Sequence, residues 1–192
     1  MIREIENALM AAFDQTLCKY RQILNNYYPA HKSTGFTERN LTNNFVRSLE
    51  HVLGKDAFAW FEAPLSAEEK LHLDAIVFDP TTKSCFLIEA KRFSNLNKKI
   101  AETIHDIQRM SYQAHHATLE LGLGELKIEN RYAIVLVDIW TEGEAKQATF
   151  NNWPVCLDDA SFDLFRTGGF ENLMIEKEWK RHYKIMMAAK KL

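Results

Sequence analysis

Three residues in the segment LHLDAIVFDPTTKSCFLIEAKRF, residues 71–93, are ionisable where their neighbours are apolar. Asp74 interrupts the first apolar run, and Glu89 and Lys91 interrupt the second. Pro80 cannot continue a central strand and Thr81-Thr82-Lys83 is polar, so residues 80–83 read as the turn of a hairpin. Asp79 then faces Ser84, and counting outward sets Asp74 opposite Glu89 and His72 opposite Lys91. Directly opposed residues have Cβ atoms about 4.5–5.5 Å apart. Side chains alternate along a strand, so Glu89 and Lys91 share a face and Arg92 points to the other. Two carboxylates this close in a half-buried sheet repel, and burial aggravates the repulsion. Either one of them keeps a proton or a cation sits between them. An ion-pair network with Lys91 neutralising Glu89 is the simpler arrangement, but it leaves Asp74 unexplained. A divalent cation accounts for all three. Magnesium commonly takes one or two carboxylates and completes its shell with water and substrate phosphate.

The elements that must position these residues are legible on either side. Ile2, Ile5, Leu9, Phe13, Leu17, Tyr20, Leu24 and Tyr27 recur at helical spacing, so residues 1–27 read as an amphipathic helix. Pro29 and Gly35 break it, and Thr37 is placed to cap a second helix running to about Leu53. Residues 57–64, AFAWFEAP, are strand-like and lead into the hairpin. Leu96 opens a helix running to about Ala117, with Ile100, Ile104, Ile107 and Ala114 on one face. Residues 131–140, RYAIVLVDIW, are apolar almost throughout, as expected of a central strand covered on both faces. Beyond Trp140 the pattern weakens. FNNWP and RTGGF read as loops and residues 171–189 as a final helix. The order predicts one α/β domain: a mixed sheet with a β-meander, flanked by helices. Its core is expected over about residues 37–140, with an N-terminal helix 1–27 and a helical extension 141–192.

The bulk numbers narrow the setting. A chain of 192 residues, 46% hydrophobic and 26% charged, is of ordinary size and make-up for one globular domain. No apolar run approaches the ~18 residues that would span a bilayer. The N-terminal stretch MIREIENALMAAFDQ mixes acids among its apolar residues and lacks a signal-peptide core. The expected location is the cytoplasm, with no membrane partner. Cys18, Cys85 and Cys156 are dispersed, which argues against a disulfide framework or a zinc site. A net charge of −2 excludes a globally basic nucleic-acid binder, so phosphate contacts must come from local patches.

An acid on one strand followed by Glu89-Ala90-Lys91 on the next resembles the PD-(D/E)xK nuclease superfamily, which has the restriction-endonuclease-like fold. The tripeptide Glu-x-Lys occurs five times, at Glu68, Glu89, Glu125, Glu144 and Glu178. The Glu89 copy alone lies in an apolar strand, follows a strand carrying an aspartate and precedes a helix. The resemblance covers roughly residues 37–140, where helix, three-stranded meander, helix and strand follow in the family's order. Many members carry a glutamate on the helix before the meander, matched here by Glu38 of Glu38-Arg39, with Glu50 as the rival. One branch, similar to RecB-type nucleases, carries Gln-x-x-x-Tyr on the following helix, matched by Gln108 and Tyr112. Leu73 stands where the family has proline before its first acid.

The resemblance implies an Mg²⁺ (or Mn²⁺) site held by Asp74, Glu89 and the Ala90 carbonyl, with Glu38 and Gln108 as further catalytic positions. Lys91 would orient or activate the attacking water, and cleavage would leave a 3′-hydroxyl and a 5′-phosphate. The implied substrate is nucleic acid, with DNA favoured. The basic residues Lys91, Arg92, Lys98, Lys99 and Arg109 and the terminal segment EKEWKRHYKIMMAAKK are available for its backbone. The competing expectation is a binding module on the same fold that does not cut, or a subunit of a defence or repair complex. A homodimer or a partner subunit is compatible with either.

Overall fold

Apolar spacing and capping set the two N-terminal helices of the computed structural model, which describes residues 3–26, 36–66, 71–112, 115, 126–157, 161–174 and 178–192. Helix α1 (Arg3–Asn26) buries Ile5, Leu9, Phe13, Tyr20 and Leu24 along one stripe. Helix α2 (Glu38–Leu53) starts at Thr37, whose hydroxyl accepts the Asn40 N–H at 3.2 Å. It stops at Gly54, which adopts φ 104, a backbone that glycine takes without strain.

Strands β1 (Phe58–Ser66), β2 (Leu71–Asp79) and β3 (Ser84–Arg92) form an antiparallel meander. Helix α3 (Leu96–Ser111) then crosses to β4 (Asn130–Trp140), which runs parallel to β3. Helix α4 (Glu144–Asn151) and strands β5 (Leu164–Gly169) and β6 (Tyr183–Lys191) complete the chain. The six strands lie in the order β1-β2-β3-β4-β6-β5. The protein is thus an α/β fold with one mixed sheet flanked by helices. Alternate β4 residues enter two cores: Tyr132, Ile134 and Leu136 face α1 and α2, while Ala133, Val135 and Val137 face α3.

The C-terminal segment departs from the expected helical extension. Residues 183–191 are a strand between β4 and β5, buried on both faces, and RTGGF lies largely in β5. Met, Ala and Lys favour helices, but the open edge of β4 offers a full ladder, and tertiary pairing outweighs that weak preference. Gly168 is needed in β5 because α1 crosses it closely: an added Cβ would lie 2.4 Å from a Leu17 methyl. Ala114 and Ala117, expected on α3, lie outside the described residues. No helix among the described residues is long and apolar enough to cross a membrane.

The β2–β3 ladder has the expected register, from Asp79↔Ser84 to Ala75↔Ile88, and ends one residue before Asp74. The β1–β2 ladder also misses a pair at this level. Phe61↔Ala75 and Ala63↔Leu73 are matched, while Glu62 between them turns to φ 51. Ala75 and Val77 pack on the α1–α2 side, yet Leu73, an even step away, packs on the α3 side. Ala59 and Ala63 of β1 change sides in the same way. Strict alternation would keep each set on one face. Both strands therefore turn over at Glu62 and Asp74. The expected opposition of His72 and Lys91 does not form, since His72 lies beyond the end of the β2–β3 ladder, exposed and paired with Pro64.

Candidate active site

Past Ile88, β3 has lost its β2 neighbour, and its amides on that edge need other acceptors. Two carboxylates supply them. Asp74 Oδ2 accepts the Ala90 N–H at 2.7 Å, and Glu38 Oε1 accepts the Arg92 N–H at 2.8 Å. The turnover at Asp74 frees its side chain for this contact. Glu38 reaches β3 from the first turn of α2 and also lies 3.5 Å from Lys99 Nζ.

Glu89 and Lys91 point to the α3 side, as their two-residue spacing requires. Glu89 is 3% exposed. Lys91 Nζ donates to its Oε2 at 3.3 Å, and Arg109 Nη2 donates to its Oε1 at 2.6 Å. Both cations also meet Asp106, Lys91 at 2.7 Å and Arg109 at 3.1 Å. The four side chains close a ring. Arg92 points the other way, where its Nε donates to Asp138 of β4 at 3.1 Å. Burial pushes the Asp138 carboxyl up to about 6 against that guanidinium.

The ring does not balance its charges evenly. Burial pushes Glu89 up to about 8, Lys91 and Arg109 oppose the rise, and Asp74 and Asp106 add to it. Burial raises Asp74 as well, with Glu38 and Glu62 contributing and the Ala90 N–H and Lys91 opposing. Burial alone would lower Lys91, but Glu89, Asp106 and Asp74 together raise it above its usual value. The ionised Glu89 carboxylate is the largest of the charges that raise Lys91. With Arg109 2.6 Å away, the geometry holds the ionised carboxylate, at a pKa above the usual range. Such carboxylates gain from added positive charge.

No family model, curated protein or solved structure matches this chain. Asp74, Glu38, Glu89 and Lys91 lie around the end of β3. Gln108 does not join them. It is exposed, as is Tyr112, because neighbouring helix positions differ by about 100° in direction. Asp106 and Arg109 reach the site from α3 instead. Asp106 escaped the sequence reading and Arg109 was read only as a backbone contact, although their i, i+3 spacing beside Ile107 was a usable signal. Glu50 lines a groove with Asp74 rather than meeting β3.

The basic stretches are partly committed elsewhere. Lys98 and Lys99 pair with Glu102 of their own helix. Among its described residues the terminal stretch is a short 3-10 helix, Glu178–His182, followed by β6. Lys180 is buried and donates to the Leu24 carbonyl, and Lys184 is half-buried in β6. Arg181 and Lys191 remain exposed.

Proposed function

We propose that this chain is a metal-dependent nuclease that hydrolyses phosphodiester bonds of nucleic acid, with DNA as the favoured substrate, on a restriction-endonuclease-like arrangement of its sheet. The carrying observation is the break in β2. It parts from both neighbours at Asp74 and turns that carboxylate onto the strand bearing Glu89, Ala90 and Lys91. The order of α2, meander, α3 and β4 supports the same reading.

The donor set suits a hard divalent cation: two carboxylates whose ionised forms are under-compensated, and a backbone carbonyl, all oxygen ligands. Among the described residues no three His, Cys, Asp or Glu side chains group as a metal site. Asp74, Glu89 and the Ala90 carbonyl would thus leave much of the shell to water and substrate, as Mg²⁺ prefers and Mn²⁺ tolerates. When bound, the ion supplies a water of lowered pKa and screens phosphate charge. Lys91 keeps its proton, held by Asp106 at 2.7 Å whether or not Glu89 turns away from it. A fixed ammonium there orients the attacking water and stabilises charge growing on the phosphoryl oxygens. Asp106 is a positioning residue in this scheme.

One observation favours a second reading, a nucleic-acid- or protein-binding module that does not cut. The Glu89–Lys91–Asp106–Arg109 ring is a closed ion-pair network and can serve as structure alone. Incubation with supercoiled, linear and single-stranded nucleic acid, with and without Mg²⁺ or Mn²⁺, separates the two. Cleavage that needs the metal and falls ~10²-fold or more in Lys91→Ala supports the nuclease. Binding should fall only by about one phosphate contact. No cleavage by wild type under any condition supports the module. Equal cleavage by Lys91→Ala removes Lys91 from the mechanism.

A further inference from the structure

A groove of about 430 Å³ follows α2 and opens on Asp74. On the helix side Arg39, Asn43, Arg47 and Glu50 line it, a spacing that keeps them on one helical face. That face extends about 16 Å, against about 3.4 Å per stacked nucleotide of one strand. On the strand side the wall is Phe61, which is 43% exposed although it sits in the sheet beside a buried core. Its partner in the register is Ala75, so the residue next to it in β2 is Asp74. The aromatic wall and the site therefore adjoin.

The chemistry of the lining selects the ligand. Glu50, Glu62 and Asp74 offset the two arginines, which is poor for a run of phosphates alone. A flat heteroaromatic with donors and acceptors on its edge fits better. Asn43 and the guanidinium groups donate to ring nitrogens and carbonyls, the carboxylates accept from amino groups, and an aromatic ring stacks on any base. Arg39 is held toward this wall by Glu62 at 3.2 Å. Arg47 has no acidic partner within ion-pair distance among the described residues. A paired base cannot present its face and its edge to such a groove at once, whereas an unpaired one can.

We infer that the groove between α2 and β1 binds unpaired nucleotides beside the cleavage site, with one base stacked on Phe61, so that the substrate is single-stranded or locally opened nucleic acid. The inference rests on the nuclease reading for its connection to cleavage, but the binding it asserts is measurable without it. A short single-stranded oligonucleotide carrying 2-aminopurine is titrated into the full chain in EDTA, alongside a duplex of the same sequence. Wild type should bind the single strand more tightly and change the fluorescence of the base. Phe61→Leu, which keeps an apolar side chain and should keep the melting temperature, should weaken that binding about tenfold and leave duplex binding unchanged. With Mg²⁺, moving an abasic site along the cut strand should reveal a position next to the cut where base loss slows cleavage, and where Phe61→Leu adds no further loss. Phe61-dependent single-strand binding without cleavage would refute the nuclease and leave the groove assigned. Equal single-strand binding by wild type and Phe61→Leu, or cleavage indifferent to every abasic position, would overturn the inference.

Discussion

Glu89→Gln distinguishes an acid cluster short of positive charge from a finished ion-pair network. An acid whose folded pKa lies above its unfolded value holds its proton more tightly when folded. The stability from that proton is fully present below the unfolded value of 4.5 and is lost as pH rises through about 8. Lys91 and Arg109 hold part of the ionised form, so the rise is partial, and at about 1.4 kcal/mol per pH unit the metal-free protein should lose about 1–2 kcal/mol from this group as pH rises from about 5 to about 8. Glutamine keeps the size and one acceptor but cannot titrate. It also removes an acceptor from Lys91 or Arg109, which shifts stability by an amount nearly constant with pH. Urea unfolding of both proteins across this range, in EDTA, reads the difference directly. Asp138, paired with Arg92 on the other face of the sheet, titrates in both proteins, so most of its contribution cancels. The wild-type advantage over Glu89→Gln should shrink by about 1–2 kcal/mol toward the alkaline end. A flat difference would mean that Lys91 and Arg109 already neutralise Glu89 completely, and the argument that the site invites a cation would fall.

Calorimetry should show Mg²⁺ or Mn²⁺ binding that tightens as pH rises toward about 8, because the raised carboxyls must lose protons to ligate. Asp74→Ala or Glu89→Ala should abolish it and leave metal-free stability unchanged or slightly higher; strong destabilisation by both would point to the structural network. Asp106→Asn should lower kcat about tenfold with little change in KM, and should move the alkaline limb of the rate profile as Lys91 loses a charged partner. An unchanged profile would deny Asp106 its positioning role. Gly168→Ala should cost about 1–3 kcal/mol in thermal unfolding through overlap with Leu17, and Leu17→Ala in the same chain should recover part of it.

The residues themselves determined much of this protein. Pro80 and its polar neighbours set the turn, and the turn set the register from Asp79↔Ser84 to Ala75↔Ile88, which brings Asp74 to the level of Glu89. Thr37 started α2 where its hydroxyl could cap it, and the apolar run to Trp140 became the strand shared by both cores. These are local effects, decided by dihedral preference, capping and periodicity within a few residues. Other features depended on partners distant in the chain. Residues 183–191 became a strand because β4 had an open edge, against the helical preference of Met, Ala and Lys. Arg109 rather than Gln108 met Glu89, and Asp106 met Lys91, because the apolar face of α3 fixes its rotation on the sheet. Glu38 rather than Glu50 met β3 because that strand outruns its partner and exposes the Arg92 amide to the first turn of α2. The turnover at Glu62 and Asp74 belongs to two ladders at once, and neither strand alone encodes it. Spacing can bring acids to one level of a sheet, but which of them face a common point depends on how strands and helices compete for the same backbone amides, and that competition exists only in the folded chain.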